Sequence, residues 1–178
     1  MFLDRDGTIN KNIPYIDDYS NFRFYDNTFE ALKLLEKEDY KIIIITNQSG
    51  IGRGFFTENK LERLHEKMLI DLKNIGIKIS GIYFCSHKPI DNCTCRKPRT
   101  ELLDRACNDF GIDANKSYFI GDKISDILAG NSHGCKSILV RTGHGKSEES
   151  ALDEFDFKPN KICNNILDAV NWIVCDSN

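Results

Sequence analysis

Tyr40-Lys41-Ile42-Ile43-Ile44-Ile45-Thr46-Asn47-Gln48-Ser49-Gly50 is the stretch that decides the fold. Its apolar run is β-branched and uninterrupted, so Tyr40 to Thr46 reads as a strand buried on both faces. A strand of that kind belongs to a parallel sheet with helices on either side. It then breaks at once into hydroxyl and amide side chains and a glycine. In open parallel sheets a ligand sits beyond the carboxyl ends of the strands, which is where Thr46 falls.

The same alternation extends in both directions. Phe2-Leu3 reads as a short strand running into Asp4, and the segment from Gly7 to Asp26 as an irregular, aromatic-rich loop. Thr28 to Lys37 carries a helical apolar pattern at Phe29, Leu32 and Leu35. Thr57 to Asn74 is a longer amphipathic helix with Thr57 as a candidate N-cap. Strands are expected at Gly81 to Cys85, Ser117 to Ile120 and Ser137 to Val140. Helices are expected at Thr100 to Phe110, stopped by Gly111, at Ser125 to His133, and at about 165–174. The prediction is a Rossmann-like, doubly wound α/β sheet in a single domain over residues 1–178.

Composition bounds the class of function. The 178 residues are 40% hydrophobic and 29% charged, ordinary for a globular protein, with a net charge of −3. That balance offers no general attraction to nucleic acid or anionic membranes, so any phosphate must be held by local groups. Asp4, Arg5 and Asp6 interrupt what would be the apolar core of a signal peptide, and no run is long enough to span a bilayer. Three of the seven cysteines crowd around a histidine, which reads as metal binding in a reducing compartment and predicts a cytoplasmic protein.

Three expected strand ends carry polar clusters. Asp4-Arg5-Asp6-Gly7-Thr8 places two carboxylates at i and i+2, where one can ligate a hard cation and attack while the other handles protons. A calcium loop fails because its required glycine would be Ile9. Thr46-Asn47-Gln48-Ser49 offers a hydroxyl and backbone N–H groups to phosphate oxygens. The glycines at 50, 52 and 54 do not match a dinucleotide fingerprint, and Gly145-Lys146-Ser147 fails as a P-loop because Val140 stands where its first glycine belongs. Gly121-Asp122-Lys123-Ile124-Ser125-Asp126 adds Asp122 to the oxygen-ligand set, a residue equally placed as an N-cap, with Asp126 one turn later to orient the ligands through water. A fourth element, Cys85-x-His87 followed by Cys93-x-Cys95, suits a tetrahedral zinc with no open position, hence structural. Cys107, Cys135, Cys163 and Cys175 read as core residues, and His65, His133 and His144 as surface or loop residues.

Asp4-x-Asp6-x-Thr8, Thr46, Lys97 and Gly121-Asp122-x-x-x-Asp126, in that order, resemble the haloacid dehalogenase superfamily of phosphatases. Neither interval that holds this superfamily's large caps has room for one, so the chain looks like a capless member. Within the superfamily it is most similar to the D,D-heptose 1,7-bisphosphate 7-phosphatases, which serve nucleotide-activated heptose synthesis for bacterial surface glycans. Gly50-Ile51-Gly52-Arg53-Gly54-Phe55-Phe56-Thr57, Cys95-Arg96-Lys97-Pro98 and Val140-Arg141-Thr142-Gly143 carry that closer likeness. The histidinol-phosphate phosphatases share the zinc loop at residues 85–95 and stand as the alternative. A noncatalytic zinc-stabilised module is the alternative of another class, and it would predict a broken catalytic set.

The resemblance implies a role for each residue. Asp4 is the nucleophile and Asp6 the acid and base, with Thr46 and Lys97 on the phosphoryl oxygens. Mg²⁺ is held by Asp4, the carbonyl of Asp6 and Asp122, with Asp126 behind them, and structural Zn²⁺ by Cys85, His87, Cys93 and Cys95. Substrate contacts fall to Arg5, Thr8, Asn12, Ile13, Pro14, Tyr15, Asn47, Gln48, Ser49, Arg96 and Lys123, with the backbone N–H groups of Arg5, Asp6 and Asn47 on the phosphoryl oxygens. The implied partner is a small phosphorylated sugar, not nucleic acid or membrane, and the chain is expected to be a monomer.

Overall fold

The computed structural model describes residues 1–176. Six strands form one parallel sheet: β1 (Phe2–Leu3), β2 (Ile42–Asn47), β3 (Ile79–Cys85), β4 (Tyr118–Gly121), β5 (Lys136–Val140) and β6 (Lys161–Cys163). Their spatial order is β3-β2-β1-β4-β5-β6. The chain winds outward from β1 to β3 and then crosses back to β4, which pairs with β1 through Phe2 opposite Phe119 and Leu3 opposite Ile120. The topological switch point therefore lies between the ends of β1 and β4, which are followed by Asp4 and Asp122.

Strand alternation divides the core. Leu3, Ile42, Ile44, Ile120, Ile138 and Val140 face one layer, together with apolar residues of α1 (Thr28–Lys37), α3 (Glu58–Asn74) and α7 (Ile166–Asp176). Phe2, Ile43, Ile45 and Phe119 face the other, against Leu102, Leu103 and Ala106 of α4 (Glu101–Phe110) and Ala129 of α5 (Ile124–His133). Ile42 to Ile45 are all fully buried, which is what a β-branched run without polar alternation requires. The doubly wound parallel sheet read from the sequence is the observed fold.

Differences are confined to boundaries and short elements. β3 starts two residues earlier than expected, at Ile79, and α5 starts at Ile124 with Lys123 at its N-cap position. The N-cap reading of Asp122 is thereby corrected: the Asp126 carboxylate accepts the Lys123 backbone N–H, and Asp122 stands outside the helix. Thr57 does occupy the cap position of α3, but its side chain makes no capping bond. The structure adds two short helices, α2 (Ser49–Gly52) and α6 (Gly145–Ala151), and the edge strand β6 to the elements expected from the sequence. Cys175 is exposed on α7, not in the core, and His65 is buried in α3, not on the surface. Among the described residues no helix is long and apolar enough to cross a membrane.

Candidate active site

The residues that follow β1, β2 and β4 converge on a cavity of about 530 Å³. At its floor lies Lys97, almost fully buried, whose Nζ is 2.6 Å from Asp4 Oδ1, 2.7 Å from Asp126 Oδ1 and 2.7 Å from the carbonyl of Ile45. Burial opposes the lysine's charge, but the Asp126 and Asp4 carboxylates outweigh it and hold the ammonium above its ordinary pKa. Asp126, read from the sequence as acting through water, instead contacts Lys97 directly. Lys97 is fixed in place by its own backbone: its N–H donates to Asn47 Oδ1 at 3.1 Å, and its carbonyl accepts from Asn47 Nδ2 at 3.2 Å. The end of β2 thus sets the position of a residue 50 positions further along the chain.

Asp4, Asp122 and Asp126 each present a carboxylate oxygen within 4.8 Å of the others. Asp122 accepts the His144 backbone N–H at 2.8 Å through Oδ2, while its buried Oδ1 has no hydrogen-bond partner. Burial first, and then the neighbouring Asp4 and Asp126 charges, push the Asp122 carboxyl up to about 8. Asp126 rises to about 6, again mainly through burial. Crowded carboxylates with an unused buried oxygen are a donor set for a hard divalent cation, whose charge would offset the repulsion. The residues fit Mg²⁺. Two glycines make room for Asp122: a Cβ on Gly7 or on Gly143 would lie 2.1 Å from its Oδ2, and both have positive φ, 96° and 56°.

Asp6 lies beside this group but is turned into a different network. Its carboxylate accepts from Arg5 Nη2 at 2.7 Å and Nε at 3.1 Å, from Asn10 Nδ2 at 2.9 Å and from Gln48 Nε2 at 2.7 Å. Burial raises its pKa, but Arg5, Asn10 and Gln48 outweigh burial and hold the carboxyl below the usual range. Gln48 also donates to Thr46 Oγ1 at 3.0 Å, which links Asp6 to the end of β2.

Asn12, Ile13, Pro14, Tyr15, Asn47, Gln48, Ser49, Arg96 and Lys123 all line the cavity. Arg5 and Thr8 do not. Both are fully buried, and the Arg5 guanidinium is used up on Asp6 and His65, so their side chains have no path to a ligand. Sequence reasoning missed Ser125 and His144, which also line the cavity. His144 lies in the turn between β5 and α6, and its Nε2 is 2.6 Å from Asn12 Nδ2. Nothing local in the sequence marks that pairing across 132 positions.

The cysteine–histidine loop forms a second compact cluster. The three Sγ–Sγ distances are 3.2, 3.5 and 3.5 Å, and His87 Nδ1 is 3.3 Å from Cys95 Sγ and 3.6 Å from Cys85 Sγ. Edges of a zinc tetrahedron with Zn–S bonds of about 2.3 Å would be about 3.8 Å, so the four donors are slightly tighter than that frame. Cys85 ends β3, and Cys95 is separated from Lys97 by Arg96 alone.

Residues 94–169 match the family model described as HAD-hydrolase-like. Over 97% of each chain, the sequence is 36% identical to a D-glycero-β-D-manno-heptose-1,7-bisphosphate 7-phosphatase of Haemophilus ducreyi. It is 39% identical to the enzyme of that name from Helicobacter pylori strain J99, over 97% of this chain and 95% of the relative. The fold superposes with a TM-score of 0.90 on a D,D-heptose 1,7-bisphosphate phosphatase of B. bronchiseptica complexed with magnesium and phosphate, at 26% identity over 99% of this chain and 98% of the other. A strand-end carboxylate cluster, a buried lysine and near full-length similarity thus agree. The chain is a phosphatase of the haloacid dehalogenase superfamily and belongs to the family of D-glycero-D-manno-heptose-1,7-bisphosphate 7-phosphatases.

Proposed function

We propose that residues 1–178, as one capless catalytic domain, remove the 7-phosphate of D-glycero-D-manno-heptose 1,7-bisphosphate and leave heptose 1-phosphate for nucleotide activation. The observation that carries the reading is Lys97 joined to Asp4 and Asp126 at the floor of a cavity lined by polar strand ends. Lys97 orients the Asp4 carboxylate and supplies positive charge where phosphoryl oxygens collect. An Asp4 oxygen attacks phosphorus, the bond from phosphorus to the sugar oxygen breaks, and Asp6 gives its proton to that oxygen. Water then attacks the aspartyl-phosphate, Asp6 takes the water's proton, and inorganic phosphate leaves with Asp4 regenerated. Thr46 and the backbone N–H groups of Arg5, Asp6 and Asn47 complete the phosphate cradle.

Asp4, the Asp6 carbonyl and Asp122 would hold Mg²⁺, which supplies charge to offset repulsion between an anionic nucleophile and a dianionic phosphate. The Asp6 side chain is held in the structure as a carboxylate by Arg5, Asn10 and Gln48, which suits the base step. Acting as an acid requires it to release part of that donor set and take up a proton. Arg96 on the cavity wall offers a planar fork to the phosphate that remains on the sugar. Zn²⁺ in the Cys85, His87, Cys93 and Cys95 cluster would be closed and structural, and three ligating thiolates fit a reducing cytoplasm. The active unit is taken as a monomer acting on a small sugar phosphate.

The test is turnover of both anomers of heptose 1,7-bisphosphate against histidinol phosphate, with Mg²⁺ and after chelation. Preferred, Mg²⁺-dependent release of one phosphate from a heptose bisphosphate is expected. Preference for histidinol phosphate would overturn the assignment.

A further inference from the structure

Arg5 is the largest fully buried side chain, and the catalytic scheme gives its guanidinium no direct contact with substrate. Its Nε and Nη2 edge is spent on Asp6, and its remaining nitrogen, Nη1, is 2.8 Å from His65 Nε2. Arginine carries donors only, so Nε2 of His65 must be the acceptor, which places the ring proton on Nδ1 and makes the imidazole neutral. The surroundings agree. Burial first, and then the Arg5 charge, lower the His65 pKa to about 3, with Asp6 opposing.

His65 sits in the apolar stripe of α3, among Leu61, Leu64, Met68 and Leu72. Its ring is 6.1 Å from that of Phe84 on β3. A helix packed into the core therefore presents one acceptor to one guanidinium nitrogen. That bond selects a single rotation of the guanidinium plane, the one in which the opposite edge meets both oxygens of Asp6. A plain core residue could fill the space, but it would leave Nη1 without an acceptor and the plane free to tilt.

We propose that His65 is a positioning residue for the acid–base step, acting on Asp6 through Arg5 without touching substrate. This rests on the reading of Asp6 as the group that protonates the leaving oxygen. When Asp6 exchanges partners to do so, the anchored Arg5 keeps the carboxylate within reach of the site.

Leaving-group chemistry separates this role from packing. A sugar alkoxide needs a proton to depart, whereas p-nitrophenolate does not, so loss of proton donation lowers kcat/KM for the sugar far more than for p-nitrophenyl phosphate. Asp6→Asn should show that contrast at about 10²-fold or more. His65→Met fills the space without a strong acceptor. It should show the same contrast at about tenfold, the scale of one hydrogen bond, with KM for the sugar unchanged. His65→Gln keeps an acceptor and should restore values close to those of the parent.

Equal losses on both substrates in His65→Met, or like behaviour of the Met and Gln variants, would overturn the proposal while the Asp6 assignment stands. So would a Met variant that fails to fold where the Gln variant folds, since that places His65 in the fold alone. If Asp6→Asn itself shows no contrast between substrates, the acid–base reading fails and takes the His65 role with it.

Discussion

Lys97 Nζ and Asp4 Oδ1 lie 2.6 Å apart, in a pair that is almost wholly buried and joined across 93 positions of chain. The same ammonium is shared with Asp126, so one cation stands among three crowded carboxylates. That ratio makes the site dependent on further positive charge, and several outcomes follow from it.

Replacing Lys97 by Met removes the charge and leaves Asp4 and Asp126 buried without it. Breaking a buried pair on one side costs about 3–5 kcal/mol, and the crowding of Asp122 adds to the strain. Urea unfolding without added Mg²⁺ should show a loss of that order, with part of it restored by Mg²⁺. Turnover should fall by about 10³-fold, because the lysine aligns the nucleophile and stabilises transferred charge. A Lys97→Met variant as stable as the parent without metal would contradict the electrostatic account.

The pH dependence has a definite sign. Asp122 is raised to about 8 in the folded chain from an ordinary 3.8, and Asp126 to about 6. Between those limits the folded state binds more protons than the unfolded one, so stability contributed by these groups falls as pH rises. The loss for Asp122 is complete only above about 8. Mg²⁺ competes with the same protons, so its stabilising effect should be larger at pH 8 than at pH 6 and its binding should release protons. Unfolding midpoints with and without added Mg²⁺ at the two pH values, with calorimetry in two buffers of different ionisation heat, would measure both. A Mg²⁺ effect equal at the two values would mean that Asp122 is not its ligand.

Gly143 tests how tightly Asp122 is held. Alanine there would bring a Cβ to 2.1 Å from Asp122 Oδ2 in a backbone with φ of 56°. The left-handed conformation costs on the order of 1 kcal/mol for a non-glycine residue, and the same Cβ would lie 2.6 Å from Gly7 Cα, so the backbone after β1 must give way as well. Either shift moves the Asp122 carboxylate from its place. Gly143→Ala should raise the Mg²⁺ concentration for half-maximal activity at least about tenfold, which corresponds to about 1.4 kcal/mol. A titration of rate against Mg²⁺ reads this directly.

The parts of this arrangement differ in how far the sequence reveals them. Ile42 to Ile45 announce a strand buried on both faces because no polar residue interrupts them, and the carboxylates and hydroxyl at strand ends are visible for the same reason. β6 is only three residues long at the sheet edge, and α6 opens Gly-Lys-Ser-Glu-Glu with no apolar stripe, so neither leaves a periodic trace. The contacts of Asp126 with Lys97 and of Asn12 with His144 arise when distant loops meet, and no spacing encodes them. His65 is a different case. It stands four residues after Leu61 and three before Met68, squarely on the buried stripe of α3, so the spacing marks it as buried although its polar side chain argues for the surface.

The zinc loop ties stability to catalysis through a short connection. Cys85 closes β3, Cys95 lies two residues before Lys97, and the Lys97 backbone is clamped by Asn47 at the end of β2. Metal at the cluster would hold one end of that segment and Asn47 the other. About one tightly held zinc per chain is therefore expected, since structural zinc in small peptides contributes roughly 10–16 kcal/mol to folding. Cys93→Ser removes one thiolate and should lower zinc content, melting temperature and kcat together. The kcat loss should exceed the change in KM, because a loosened Lys97 misaligns Asp4 more than it disturbs the cavity wall. If the variant loses zinc yet keeps the parent's kcat at a temperature where it is folded, Asn47 alone positions the lysine, and the loop serves only the fold.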